Sequence, residues 1–254
     1  MYSSRVKNKI IHVIILIVIL FVILSVGGIM LLRYQVVGES NMPFKVTKIS
    51  IIESVEGIEK ENTTNKWDFD VNENNDIYIY VEKNSGYGKT EVIENVTVKN
   101  FKIEKTNEKT NEKGNAKILK PDDTAEKRIF SNKEENESTE IVYQGDLQSN
   151  IKEQKISNQG GKIAFRYAIS NISEYISNED EEIDHSKLLK LTNIQTEDLQ
   201  TKLSFDIIIK LISGKIYQAT VNLEIPSDKI IEEGTVGIEN IDLSNIIFKR
   251  VENL

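Results

Sequence analysis

Apolar residues follow two unlike patterns along this chain: continuous up to residue 32, alternating with polar ones beyond it. From Ile10 to Leu32 there are 23 consecutive uncharged residues, 19 of them Ile, Val, Leu, Phe or Met. At about 1.5 Å per residue a helix of that length is about 34 Å long and covers a hydrocarbon core of roughly 30 Å. Each central Leu, Ile, Phe or Val favours insertion by roughly 0.3–0.6 kcal/mol, which together outweigh Ser25, Gly27 and Gly28. The pattern predicts a short tail at 1–9, a transmembrane helix acting as signal anchor at 10–32 and a linker at 33–43. Cleavage near Ser25-Val26-Gly27 is the alternative, although the apolar run continues through Leu32 and exceeds a usual signal-peptide core of about 7 to 15 residues. Arg5, Lys7 and Lys9 precede the span and Arg33 follows it. That bias places the amino terminus in the cytoplasm and the rest outside.

Beyond the span the period is two. Leu203, Phe205, Ile207, Ile209 and Leu211 occupy odd positions, and Tyr217, Ala219, Val221, Leu223 and Ile225 do so again, with mostly polar residues between them. Such alternation means half-buried strands. Opposed residues of a hairpin share a face, so odd must pair with odd and the loop must hold an odd number of residues. Ile212-Ser213-Gly214 satisfies this, with Gly214 in the left-handed position that closes a three-residue loop. The register then sets Ile209 opposite Tyr217, Ile207 opposite Ala219 and Phe205 opposite Val221.

Further strands are expected at Ile77 to Val81, apolar on both faces as in a strand sandwiched in a core, at Ile163 to Ile169 after a Gly160-Gly161 turn, at Ile141 to Tyr143 and at Val236 to Phe248. The apolar phase slips by one in Phe44 to Val55 and in Val92 to Ile103, which predicts a bulge in each. The helical signal outside the span is short: Asp184 as N-cap, then Leu188, Leu189 and Leu191 before Asn193. Many short strands and almost no helix predict an all-β extracytoplasmic domain over 44–254, a β-sandwich. A charged, low-complexity insertion near 104–140 interrupts it. It contains the tandem Thr106-Asn107-Glu108-Lys109 and Thr110-Asn111-Glu112-Lys113, with Lys117-Ile118-Leu119 and Arg128-Ile129-Phe130 as edge strands. Two stacked β-domains split at that insertion are the alternative.

Composition narrows the chemistry. No cysteine means no disulfide, thiolate metal site or cysteine nucleophile, and two histidines, His12 and His185, are too few for a multi-histidine metal site. After residue 33 there are 28 Lys and Arg against 40 Asp and Glu. That surface is a poor binder of nucleic acid and of anionic headgroups. The Asn, Ile, Lys and Glu bias reads as the habit of an AT-rich genome, and a cysteine-free exposed domain is common in bacteria that lack routine disulfide formation.

Each candidate motif has an ordinary reading. His185 lies in an acidic stretch with no nucleophile elbow before it, so it is read as an exposed helix-start residue. Glu179-Asp180-Glu181-Glu182 with Asp184 lacks the ligand spacing and central glycine of a calcium loop and is read as solvated. Trp67 alternates with Phe69 and Val71 and is read as inward-facing. Gly86-Tyr87-Gly88-Lys89-Thr90 lacks the interval and the strand-to-helix context of a phosphate loop and is read as a turn. The four N-x-S/T sequons at Asn62, Asn95, Asn136 and Asn171 carry no weight in so Asn-rich a chain. No catalytic, cofactor or metal residue is singled out. The expected function is a single-pass, membrane-anchored envelope protein whose β-domain is a non-catalytic binding or structural module for a protein or polysaccharide partner. A membrane-tethered carboxylate hydrolase of an envelope polysaccharide is the rival; it would need two facing carboxylates in an aromatic-lined cleft.

Overall fold

The computed structural model describes residues 4–37, 42–61, 64–105, 114–122, 128–147, 153–180 and 182–252. The chain divides into two compact units, Met1–Ser40 and Asn41–Leu254. In the first, helix α1 (Ser4–Val37) contains the stretch Ile11–Tyr34, long and apolar enough to cross a membrane, with none of its side chains buried by protein. The predicted span at 10–32 lies within this helix.

The second unit is mostly strand. In chain order it holds β1 (Phe44–Glu59), β2 (Trp67–Lys83), β3 (Ile93–Lys105), β4 (Asn115–Leu119), β5 (Glu140–Gly145), β6 (Lys155–Ile156) and β7 (Gly160–Ser177). Short helices α2 (Leu188–Leu191) and α3 (Thr196–Leu199), strands β8 (Thr201–Leu211) and β9 (Ile216–Ile225), helix α4 (Ile230–Glu233) and strands β10 (Thr235–Ile238) and β11 (Lys249–Val251) follow. One sheet has the order β10-β1-β2-β7-β4 and the other β11-β9-β8-β3-β5-β6. Strands from before and after the 104–140 insertion occur in both sheets, which leaves no domain boundary there.

The two sheets share one apolar core, because period-two alternation turns one face of each inward. Ile49, Ile51, Ile77, Ile79, Phe165 and Ile169 come from the first sheet, and Val96, Val98, Phe205, Ile207, Ile209 and Val221 from the second. Phe101, Phe165 and Phe205 meet there with centroids 5.0–6.0 Å apart. The outer edges of the described sheets are short, from two residues in β6 to five in β4. They cover only part of their neighbours, β10 pairing β1 over Ile51 to Ser54 and β11 pairing β9 over Ile216 to Gln218.

The β8–β9 hairpin has the expected register, Phe205 opposite Val221, Ile207 opposite Ala219 and Ile209 opposite Tyr217. Gly214 has φ +80°, and Leu211 N–H bonds Lys215 O at 2.9 Å to close the three-residue loop. Both phase slips are register shifts, between Val46 and Lys48 against β2 and between Lys99 and Lys102 against β8. In the second, Asn100 takes up the extra residue at φ +58°, a conformation asparagine tolerates better than most residues. Asp184 is a cap as expected, its Oδ1 accepting from Ser186 N–H, but it caps a 3-10 turn, His185–Lys187, that leads into α2 rather than α2 itself.

Three expectations need correction. Arg128-Ile129-Phe130 is not an edge strand: Arg128 sits at φ +58° and its buried guanidinium anchors the segment instead. Val236 to Phe248 is not one strand, since β10 ends at Ile238, an irregular stretch follows and pairing resumes only at Lys249. The outward side chains of Ile77 to Val81, Tyr78 and Tyr80, are half-buried rather than in a core, with lysines 162 and 48 over their rings. The tandem tetrapeptide falls outside the described residues.

Candidate functional site

The least expected feature of the core is polar. In β2 the run Val71-Asn72-Glu73-Asn74-Asn75-Asp76 occupies the middle of a strand paired on both sides, and the inward parity of Phe69, Val71 and Ile77 includes Glu73 and Asn75. Across the sheet Glu53 of β1 stands directly opposite Asn75, and Tyr167 of β7 is opposite Asn75 on the other side. Glu53, Glu73, Asn75 and Tyr167 are 1%, 0%, 0% and 0% exposed. Burying such groups unpaired costs several kcal/mol, so their hydrogen bonds matter.

Only some of these groups are satisfied. Asn75 Nδ2 donates to Glu73 Oε1 at 3.1 Å. Thr201 Oγ1 donates to Leu199 O at 3.1 Å, which leaves its lone pairs for the Tyr167 hydroxyl at 3.2 Å. Glu53 Oε1 and Asn75 Oδ1 have no hydrogen-bond partner. Burial, then Glu73 and Asp228, push the Glu53 carboxyl up to about 8. Burial likewise raises the Tyr167 phenol, so it stays neutral. Beside Glu53 a cavity of about 280 Å³ is lined by Asp228, Lys229, Val236 and Glu239.

A second polar network lies on the opposite face of the same sheet. Arg166 donates to both oxygens of Asp76, at 2.5 and 3.1 Å, and to Asn132 Oδ1 at 3.2 Å. Asn132 Nδ2 in turn reaches Asn74 Oδ1 and Glu56 Oε2, each at 3.0 Å. Phe130 lies edge-on to Tyr78 and beneath the Arg166 guanidinium. These contacts strap residues 128–133 across the sheet, and their pairing is complete enough to read as structural.

The motifs weighed in the sequence are scattered. His185 is exposed and lies edge-on to Phe69 at 4.9 Å. Trp67 stacks on Phe69 at 5.8 Å and packs against the core, as its parity implied. Residues 84–92 connect β2 to β3 without a strand or helix, and Tyr87 there accepts from Lys215 Nζ at 3.2 Å. Asp180 is an exposed partner of Lys66, and Glu181 lies outside the described residues. No group of three His, Cys, Asp or Glu with the spacing to hold a metal ion occurs among the described residues.

Reading the sequence missed Glu53 and Glu73. Their parity was visible: Glu53 continues Ile49 and Ile51, and Glu73 continues Phe69 and Val71. Which strands they would meet was not. Compared with known proteins, the chain matches no family model, no curated protein and no solved structure.

Proposed function

We propose that the chain is a single-pass protein of the cell membrane, amino terminus in the cytoplasm, whose extracytoplasmic β-sandwich is a non-catalytic binding or structural module of the envelope. A protein or polysaccharide is the partner this reading expects. The apolar helix and the basic residues before it support the anchoring. What supports the non-catalytic part is that the acids the core brings together, Glu53 and Glu73, are enclosed at 1% and 0% exposure, while the surface acids Asp70 and Glu174 are tied up by Lys60. A carboxylate hydrolase needs its two acids to flank a bond of the substrate, and a polymer cannot straddle acids shut inside a core.

Two measurements on the intact protein test this. Protease added to spheroplasts is expected to digest the large domain and spare only the short tail; full protection of the domain would reverse the orientation. Full-length protein mixed with purified insoluble peptidoglycan is expected to release no new reducing ends. Release that disappears in Glu53→Gln or Glu73→Gln would overturn the module in favour of the hydrolase.

A further inference from the structure

We propose that Glu53 holds a proton that it donates to Asn75 Oδ1, and that losing this proton as pH rises loosens the β10 edge of the sheet. The starting point is the pair of orphaned oxygens. Glu53 Oε1 and Asn75 Oδ1 both lack a partner, both are buried, and their residues are direct partners in the β1–β2 register. Directly opposed side chains have Cβ atoms about 4.5–5.5 Å apart, within reach of each other. An ionised carboxylate and an amide oxygen are both acceptors and cannot bond. One proton on Glu53 makes it a donor and satisfies both atoms at once.

The surrounding charges favour the same state. Facing Glu53 are Glu73 from β2, Asp228 from the turn before α4 and Glu239 just beyond β10, with Lys229 as the cation in the cavity wall and the neutral Tyr167 phenol on β7. A negative charge on Glu53 itself is disfavoured by burial and by repulsion from Glu73 and Asp228.

The same geometry names the part that yields. Glu53 is opposite Val236 on its other side, and β10 holds β1 only over Ile51 to Ser54. Gly234, at φ +69°, ends α4 and accepts from Val55 N–H at 3.0 Å, so the turn and the strand hang on the same few bonds. An ionised Glu53 gains hydration most cheaply through the adjoining cavity, by displacing Asp228, Lys229 and this four-residue edge. Opening also frees the β10-facing backbone groups of Ile51 to Ser54, which stay paired with β2 on the other side.

The sign follows from linkage. The closed state holds the proton up to about pH 8 and an open, hydrated Glu53 only to its ordinary 4.5, so the closed state weakens as pH rises between these values and levels off above them. Amide exchange of Thr235 to Ile238 in the full-length protein, measured at pH 6 and 9 against Glu53→Gln, reads this directly. Glutamine keeps a donor for Asn75 Oδ1 at every pH. The wild-type edge is expected to open about 10- to 100-fold more at pH 9 than at pH 6, relative to Glu53→Gln. Equal pH dependence in the two proteins would overturn the proposal. An infrared spectrum of the wild type provides a test independent of the variant. A protonated carboxyl stretch is expected at pH 7 and should vanish through about pH 8. Its absence at pH 7 would also overturn the proposal.

Discussion

Phe205→Ala is expected to lower the unfolding free energy of the β-domain by about 3–5 kcal/mol. Phe205 is fully buried and meets Phe165 of the facing sheet edge-on at 5.0 Å and Phe101 at 6.0 Å, so its ring joins the two sheets. Truncation removes the transfer free energy of the ring and leaves a cavity whose walls, belonging to two hydrogen-bonded sheets, cannot collapse far. Against a typical total stability of about 5–15 kcal/mol the loss brings the domain close to unfolding at ambient temperature. Urea titration of the full-length protein in detergent, followed by the fluorescence of Trp67, measures it. Asp180→Asn, which removes an exposed partner of Lys66, should leave the midpoint in place. Equal losses from the two substitutions would mean that the inward face of β8 had been misidentified.

That face was legible because a hairpin is local. Parity, the odd loop count and Gly214 fix the β8–β9 register within one stretch of sequence, and the bulges in β1 and β3 show as slips in the same period. The sheet order was not legible. The meetings of β1 with β10 and of β4 with β7 join segments far apart in sequence, and an alternating segment carries no label for its partner. The same gap hid the buried acids. Glu53 and Asn75 each look like a polar residue interrupting an apolar face, and only their pairing turns two interruptions into a proton-holding contact. Polar residues on the inward parity of two separate strands are the signal that sequence reading could have used.

Arg128 was hidden for another reason: its side chain defeats both local conformation and hydrophobic pattern. Its neighbours Ile129 and Phe130 suggested a strand, yet the residue adopts φ +58°, like Asn100, Asn171 and Asn193. Asparagine tolerates that region; arginine pays roughly 1 kcal/mol to be there. The compensation is the guanidinium, 4% exposed, which donates to Gln154 Oε1 at 3.2 Å, Lys162 O at 3.3 Å and Lys155 O, and lies 4.9 Å from the Tyr143 ring. Tyr143 is itself fixed, donating to Ala164 O and accepting from Ala164 N–H at 3.1 Å, and burial pushes its phenol up to about 12. Arg128→Met keeps the length of the stem but leaves these acceptors without their donor, at about 1–3 kcal/mol for each that stays buried. A total loss of about 2–4 kcal/mol is expected, with new protease cleavage in residues 128–133 as the strap comes away. Arg128→Gly separates the two contributions, because it relieves the backbone while removing the same hydrogen bonds. If the fork holds the strap, glycine also destabilises the domain despite its freedom at positive φ. If glycine restored wild-type stability, backbone strain would outweigh the hydrogen bonds and the guanidinium would not be the anchor.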